Sequence, residues 1–398
     1  SLRLCTVSRM SRSTRKPIPY GRQTIDDSDI DAVRQALNRD FLTQGPAVGA
    51  FESEIESATT ASHATAVSSA TAGLHLAYKG LGLTENETVW TSPITFVSTA
   101  NAARLCGANV DLVDVDVSTG NMCPQKLEDK LKYSSRKNEL PALVVPVHLG
   151  GASCDMEAIR DACNRYEVKV VEDASHALGG SYEGHPVGSC KFSDAAVFSF
   201  HPVKMITTGE GGCVTTNKDT LAKIVNKLRS HGITKTDTEF SSSSDGGWYY
   251  EQQDLGLNYR ITDIQASLGL SQIKRLKAFV EARNRIAIWY HQFLPSEAIP
   301  VKPISGTGSS YHLFMIQLPT TDARREVYDY LHDHEIRAQV HYIPVHYHPY
   351  YQNLGLTRGD FPGAEEFYSR VLSLPIFPEL TEDEVKLVCS KVAEALSS

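Results

Sequence analysis

No apolar run in the 398-residue chain reaches the about 18–20 residues that a membrane-spanning helix requires, so no such helix is expected. Basic residues are in deficit: 39 lysines and arginines against 47 aspartates and glutamates give a formal net charge of −8. A chain without a general positive field makes a poor nucleic-acid binder, and no such partner is expected. The eight cysteines, at positions 5, 106, 123, 154, 163, 190, 213 and 389, never form a CxxC pair. That spacing speaks against a disulfide frame or a zinc site and suits reduced thiols in a cytoplasmic protein. Histidines do gather in HYIPVHYH, yet His341, His346 and His348 share no rigid helical spacing, so no metal is expected.

What is present is ordinary globular usage, 41% hydrophobic and 22% charged, over a length that suits one large α/β domain plus a smaller one. The first residues differ. SLRLCTVSRMSRSTRK carries Arg3, Arg9, Arg12, Arg15 and Lys16 and no acid. Such a stretch fits a transit peptide as well as a tail. The plainer expectation is a basic, disordered tail over 1–17, with Met10 a candidate start.

From residue 26, DDSDIDAVRQALNRD opens with carboxylates and places Ile30, Val33 and Leu37 at helical intervals, which predicts a capped amphipathic helix. Short apolar runs follow: TVWTS (88–92), VDLVDV (110–115), ALVVPV (142–147), VKVVED (168–173), AAVFSF (195–200) and CVTT (213–216). They are continuous rather than alternating, as in strands buried on both faces. MEAIRDACNRYEV, between two of them, reads as a crossover helix. The expected fold is therefore α/β, a mostly parallel sheet covered by helices in a large domain over 18–278. TKTDTEFSSSSDGGWYY (234–250) reads as a long mobile loop. The strongly helical ITDIQASLGLSQIKRLKAFVEARNRIAIWYHQF then leads to a smaller C-terminal domain over 279–398.

Four features fall at expected strand ends, where ligands bind in parallel α/β sheets. VSSATAGLHLA (67–77) offers free amides at a helix N-terminus, an anion site, although SATAG alone is as well explained by an N-cap with small packing residues. VVEDASHALGG (170–180) delivers Asp173, an acid suited to a protonated ring nitrogen, although alone it reads as a helix cap. SFHPVKMITTGEGG (199–212) puts Lys204 on a turn between two strands, with Ser199 and glycines beside it. Most lysines are solvated surface charges, but one held in such surroundings can form a Schiff base. Phe96 in TSPITFVSTAN is either a core residue or a ring that stacks on a flat ligand. Together these parts describe what pyridoxal phosphate (PLP) needs: a phosphate cradle, an acid, a stacking aromatic and an imine-forming lysine.

SFHPVK with TTGEGG, EDASHALG and NYRITDIQASLG resemble the DegT/StrS family of PLP-dependent nucleotide-sugar aminotransferases of fold type I. The resemblance runs from Ile18 to LSLPIFPELTEDE and implies a small C-terminal domain of α+β type. It implies Lys204 as the Schiff-base lysine, Asp173 as partner of the pyridinium nitrogen, and His176 near the ring oxygen. Thr71 and Ala72 match backbone phosphate donors and Ser199 a hydroxyl donor. Asn258 matches a residue that reaches the phosphate of the neighbouring subunit, so a homodimer with shared sites is implied. Tyr20, Asp40, Phe41, Leu42, Thr43, Ala70, His341, Tyr342, Ile343 and Pro344, with Ser199 and Asn258, match positions that line the sugar-nucleotide site. IPYGRQ, FLTQGP and QVHYIPVHYHPYY are similar to members acting in pseudaminic acid biosynthesis, which implies glutamate as donor and a UDP-4-keto-6-deoxy-N-acetylhexosamine as acceptor. Met205 after the lysine and the long 234–250 loop depart mildly from the family pattern. Another UDP- or dTDP-keto-sugar is the alternative substrate. A sugar dehydratase of this fold would carry histidine in place of Lys204. A non-catalytic sensor would have no use for Lys204, Asp173 and Asn258 together.

Overall fold

The computed structural model describes residues 16–397, so all but the end of the expected tail lies outside the described residues. Seven strands build the main sheet: β1 His63–Val67, β2 Thr88–Thr91, β3 Asn109–Leu112, β4 Leu143–Val145, β5 Lys169–Asp173, β6 Ala195–Ser199 and β7 Gly212–Thr216. Their spatial order is β1-β7-β6-β5-β4-β2-β3. Only β7 runs against the rest, antiparallel to β1 and β6, so the sheet is mostly parallel as expected. Every apolar run read from the sequence is a strand. β1 was not foreseen, because HATAV lacks the run of branched side chains that marked the others.

Successive residues of each strand serve opposite faces. Val145, Val171 and Val197 join the apolar cluster on one side, while Val144 and Val170 join a second cluster on the other. Both faces are covered by helices: α1 Asp27–Leu37, α2 Pro46–Thr59, α3 Ala70–Gly80, α4 Ser98–Leu105, α5 Pro124–Ser135, α6 Met156–Asn164, α7 Asp219–Arg229, α8 Asp263–Ile273 and α9 Leu276–Phe293. The expected crossover helix is α6. The stretch 261–293 is strongly helical as expected, and forms two helices, α8 and α9, that meet at Lys274 and Arg275.

α1 has the expected cap: Asp26 accepts from the amides of Ser28 and Asp29, and Asp29 returns the bond to the Asp26 amide. Of its three expected apolar positions, Val33 is half-buried and the other two face outward. Ile30 and Leu37 are each 57% exposed, while the buried positions are Asp29 and Ala36. The helix docks through a polar contact instead, the Asp29 carboxylate meeting Gln272 Nε2 at 2.7 Å and the Arg275 guanidinium.

α9 ties the sheet to a C-terminal unit. Its Phe279 packs in the sheet core, whereas Ile286, Ala287 and Tyr290 belong to a separate cluster. That cluster is closed by a small antiparallel sheet of β8 Ile299–Pro300, β9 Phe314–Gln317 and β10 Val371–Leu374, with helices α10 Thr321–Asp333 and α12 Glu382–Leu396, while α11 Pro362–Arg370 sends Ala364 and Phe367 into a neighbouring cluster. Residue 279 thus lies within α9. Ile18 packs in the C-terminal cluster and pairs with Ile336, rather than joining the main sheet. Residues 234–250 form a loop, closed at its base by pairing of Ile233 with Gln252 and Thr234 with Glu251. Among the described residues no helix is long and apolar enough to cross a membrane.

Candidate active site

A cavity of about 600 Å³ opens at the C-terminal ends of β5 and β6 and is closed from the other side by residues of the C-terminal unit. Its volume suits a small-molecule ligand with a cofactor.

One wall is the start of α3. Ser69 caps the helix, its Oγ accepting from the Ala72 amide at 3.1 Å. The first amides of a helix have no intrahelical acceptor, so those of Ala70 and Thr71 are open to an anion. Both residues line the cavity; Ala72 does not, and its amide is already taken by Ser69. The cradle is narrow because Gly212 lies against it. A Cβ there would stand 2.6 Å from the Ala70 nitrogen and 2.7 Å from the Ser69 carbonyl carbon, so only glycine fits. Ser199, which ends β6 opposite Gly212, also lines the cavity.

The floor is the end of β5. Asp173 is 4% exposed, and its carboxylate is aimed by the Thr99 hydroxyl at 2.6 Å and the Ser175 amide at 3.1 Å. Glu172, one residue earlier, points to the other face of the sheet and meets His148 Nε2 at 2.7 Å and Ser193 Oγ at 2.5 Å. Strand alternation therefore separates the two acids, and only Asp173 serves the cavity.

Lys204 follows the end of β6 and lines the same space. Burial pushes its ammonium down to about 8, against the pull of the Asp173 carboxylate in the other direction. His176 lies beside it. The Gly150 amide donates to His176 Nδ1 at 3.2 Å, so that nitrogen carries no proton. Burial, and then the Lys204 charge, hold this imidazole well below its ordinary value and therefore neutral. The proton is thereby assigned to Nε2, which donates to the Tyr342 hydroxyl at 2.9 Å. The Tyr342 hydroxyl hydrogen is left for another acceptor, and Tyr342 lines the cavity. His341, beside it, is pushed down to about 3 by burial and by Lys204. Tyr20 completes this wall, and Phe96, 58% exposed, stands at 6.2 Å from the Tyr342 ring.

Of the residues expected from sequence, the cavity thus unites Tyr20, Ala70, Thr71, Phe96, Asp173, His176, Ser199, Lys204, His341 and Tyr342. It does not include Asp40, Phe41, Leu42 and Thr43, an exposed stretch joining α1 to α2. That stretch is held by a bond from the Asp263 amide to the Leu42 carbonyl and by pairing of Thr43 with Thr262. Ile343 and Pro344 lie beyond its lining, and Asn258 is exposed, paired with Ser230 outside it. His312, Thr99 and Ser175 were not anticipated. Thr99 and Ser175 are short polar residues near the expected site. His312, in SSYHLF, has no companion in sequence that would mark it.

These residues fit PLP: a glycine-lined cradle of open amides for the phosphate, a buried and aimed carboxylate for the ring nitrogen, and a lysine with a readily lost proton. A family model described as the DegT/DnrJ/EryC1/StrS aminotransferase family matches residues 23–393, and the chain belongs to that family. It is a PLP-dependent sugar aminotransferase. The spore coat polysaccharide biosynthesis protein SpsC of Bacillus subtilis is 39% identical over 385 residues, covering 95% of this chain and 96% of that protein. A Campylobacter jejuni protein named UDP-4-amino-4,6-dideoxy-N-acetyl-beta-L-altrosamine transaminase is 38% identical over 377 residues, covering 93% and 95%. Among solved structures, PseC of Helicobacter pylori, an aminotransferase involved in the biosynthesis of pseudoaminic acid, superposes with a TM-score of 0.88 at 31% identity, covering 96% of this chain and all of that one.

Proposed function

We propose that this chain moves the amino group of L-glutamate to C4 of UDP-2-acetamido-2,6-dideoxy-β-L-arabino-hex-4-ulose. The products are UDP-4-amino-4,6-dideoxy-N-acetyl-β-L-altrosamine and 2-oxoglutarate, made in the cytoplasm by a homodimer with shared sites. The observation that carries the chemistry is the meeting of Lys204 and Asp173 in one cavity. The choice of sugar rests on the likeness to the C. jejuni transaminase and to PseC.

PLP, when bound, supplies a carbonyl that takes up the amino group and a ring that accepts negative charge. The chain supplies the rest. Asp173, held by Thr99 and Ser175, presents a fixed carboxylate to a protonated ring nitrogen. Ala70 and Thr71 offer amides, and Ser199 a hydroxyl, to the phosphate. Lys204 Nζ takes a proton from the amino-acid carbon and would deliver it to the carbonyl-derived carbon that keeps the nitrogen, a role that needs an amine neutral at working pH. The Tyr342 hydroxyl, with its oxygen occupied by His176, donates into the cavity toward an oxygen of the bound substrate.

A panel of UDP- and dTDP-4-keto-sugars assayed with glutamate, with the C4 configuration of each product read by NMR, tests the assignment. Turnover fastest with the arabino-hexulose supports it; a clear preference for another keto-sugar overturns the substrate while leaving the transfer chemistry. The 39% identity to SpsC, a spore coat polysaccharide protein, favours that second reading.

A further inference from the structure

We propose that His312 is a positioning residue that holds the amine of Lys204 when that amine is free and neutral. The proposal rests on the aminotransferase chemistry of the family, and not on the choice of sugar.

His312 Nε2 lies 3.5 Å from Lys204 Nζ, at the far limit of a hydrogen bond. The ring is 4% exposed, and its Nδ1 is buried without a partner. It packs against the His176 ring at 4.5 Å between centroids. The backbone around it is stitched down on two sides. Arg283, buried in α9, donates to the carbonyls of Tyr311, His312 and Ile376 at 3.1, 3.3 and 3.0 Å. The Leu313 amide reaches the Gly150 carbonyl, and the Ser310 hydroxyl reaches the His176 carbonyl. A side chain so fixed cannot follow the lysine; the lysine comes to it.

The direction of the bond follows from what is left over. Burial, then the charge of Lys204, keep the His312 ring neutral, so one nitrogen bears the proton. A buried N–H without an acceptor is the costlier orphan, which leaves Nδ1 as the bare lone pair and Nε2 as the donor. His312 then donates to the lone pair of a neutral amine. Its effect on Lys204 is to favour the neutral form and to fix where that form waits. Asp173, on the strand below, works the other way by attracting the ammonium. His176 and His341 are neutral neighbours, and Arg283 adds a positive charge behind the ring.

The test uses the protein loaded with pyridoxamine phosphate and no sugar, where the Lys204 amine is free. Limited acetylation with acetic anhydride between pH 6 and 10, read by mass spectrometry of the Lys204 peptide, gives the titration midpoint of that amine. In the unsubstituted protein the midpoint is expected at about 8. His312→Phe should raise it by about 0.5–1 unit, the size of one lost hydrogen bond. The same variant should slow the glutamate half-reaction about tenfold at neutral pH, with KM for glutamate moved by less than about twofold. His312→Gln puts an amide N–H near the place of Nε2–H and should restore most of both. His312→Asn, whose amide is too short, should not. An unchanged midpoint in His312→Phe, or equal behaviour of the Gln and Asn variants, overturns the proposal. Should the phenylalanine variant fail to hold the cofactor, the comparison of Gln with Asn decides alone.

Discussion

Asp173 holds two hydrogen bonds before any ligand reaches it, and both are consequences of where β5 stops. The Thr99 hydroxyl and the Ser175 amide fix its carboxylate, so Asp173→Ala should cost about 3 kcal/mol or more of catalysis, measured as kcat/KM with glutamate in a cofactor-loaded protein. Thr99→Val keeps the acid but frees it to turn, and a smaller loss is expected. Near-normal turnover in Asp173→Ala would assign the ring nitrogen to another group. The pH dependence follows from Lys204. Its amine, lowered to about 8, is protonated below that pH and neutral above it. A base must be neutral, so the rate of the glutamate half-reaction should rise through pH 8 and level off beyond it, as stopped-flow absorbance would record. Lys204, Asp173 and Ser199 were legible because each lies at or just past the end of an apolar run, and a run buried on both faces predicts where a strand ends. His312 was not legible. It lies 108 positions from Lys204, and only the docking of the C-terminal unit brings the two together. The His176–Tyr342 bond, spanning 166 positions, was hidden for the same reason, although each residue was separately expected at the site.

At the level of elements, the proposed phosphate cradle is a contact between two backbones. Gly212, first residue of β7, lies so close to Ser69 and Ala70 that a side chain has no room. Gly212→Ala should therefore push β7 from the start of α3 and weaken retention of PLP, while Gly209→Ala beside it meets nothing within 4 Å and is strained only by its φ of +82°. Cofactor retained after gel filtration, read by absorbance, separates the two: a Gly212→Ala protein that keeps its cofactor as well as the unsubstituted chain would deny the cradle. The glycines were visible in TTGEGG, but which of them the packing required was not, because that depends on β1. HATAV, being short and alanine-rich, gave no strand signal, and without β1 nothing in sequence places Ser69 beside Gly212. The helix at 27–37 shows the opposite case. Its cap was plain, yet Ile30 and Leu37 face outward because the Asp29 carboxylate, paired with Gln272 and Arg275, turns the other face inward.

At the scale of the whole molecule, those outward apolar residues and the position of Asn258 bear on the proposed dimer. Asn258 lies outside the chain's own cavity and is exposed, as a residue serving a neighbouring subunit would be. Mixing Lys204→Ala with Asn258→Asp subunits should then restore part of the activity. In such a heterodimer one site collects both defects and the other collects neither. Asn258→Asp, which faces a phosphate with a like charge, must first be shown inactive alone. Heterodimers that form and stay inactive would mean that each subunit completes its own site. The central claim, that Lys204 carries the cofactor, is tested most directly by borohydride reduction of the PLP-loaded protein followed by peptide mass spectrometry. The account predicts a pyridoxyl group on Lys204 and none in Lys204→Ala; a label on any other lysine, or the same label in the alanine variant, would contradict it.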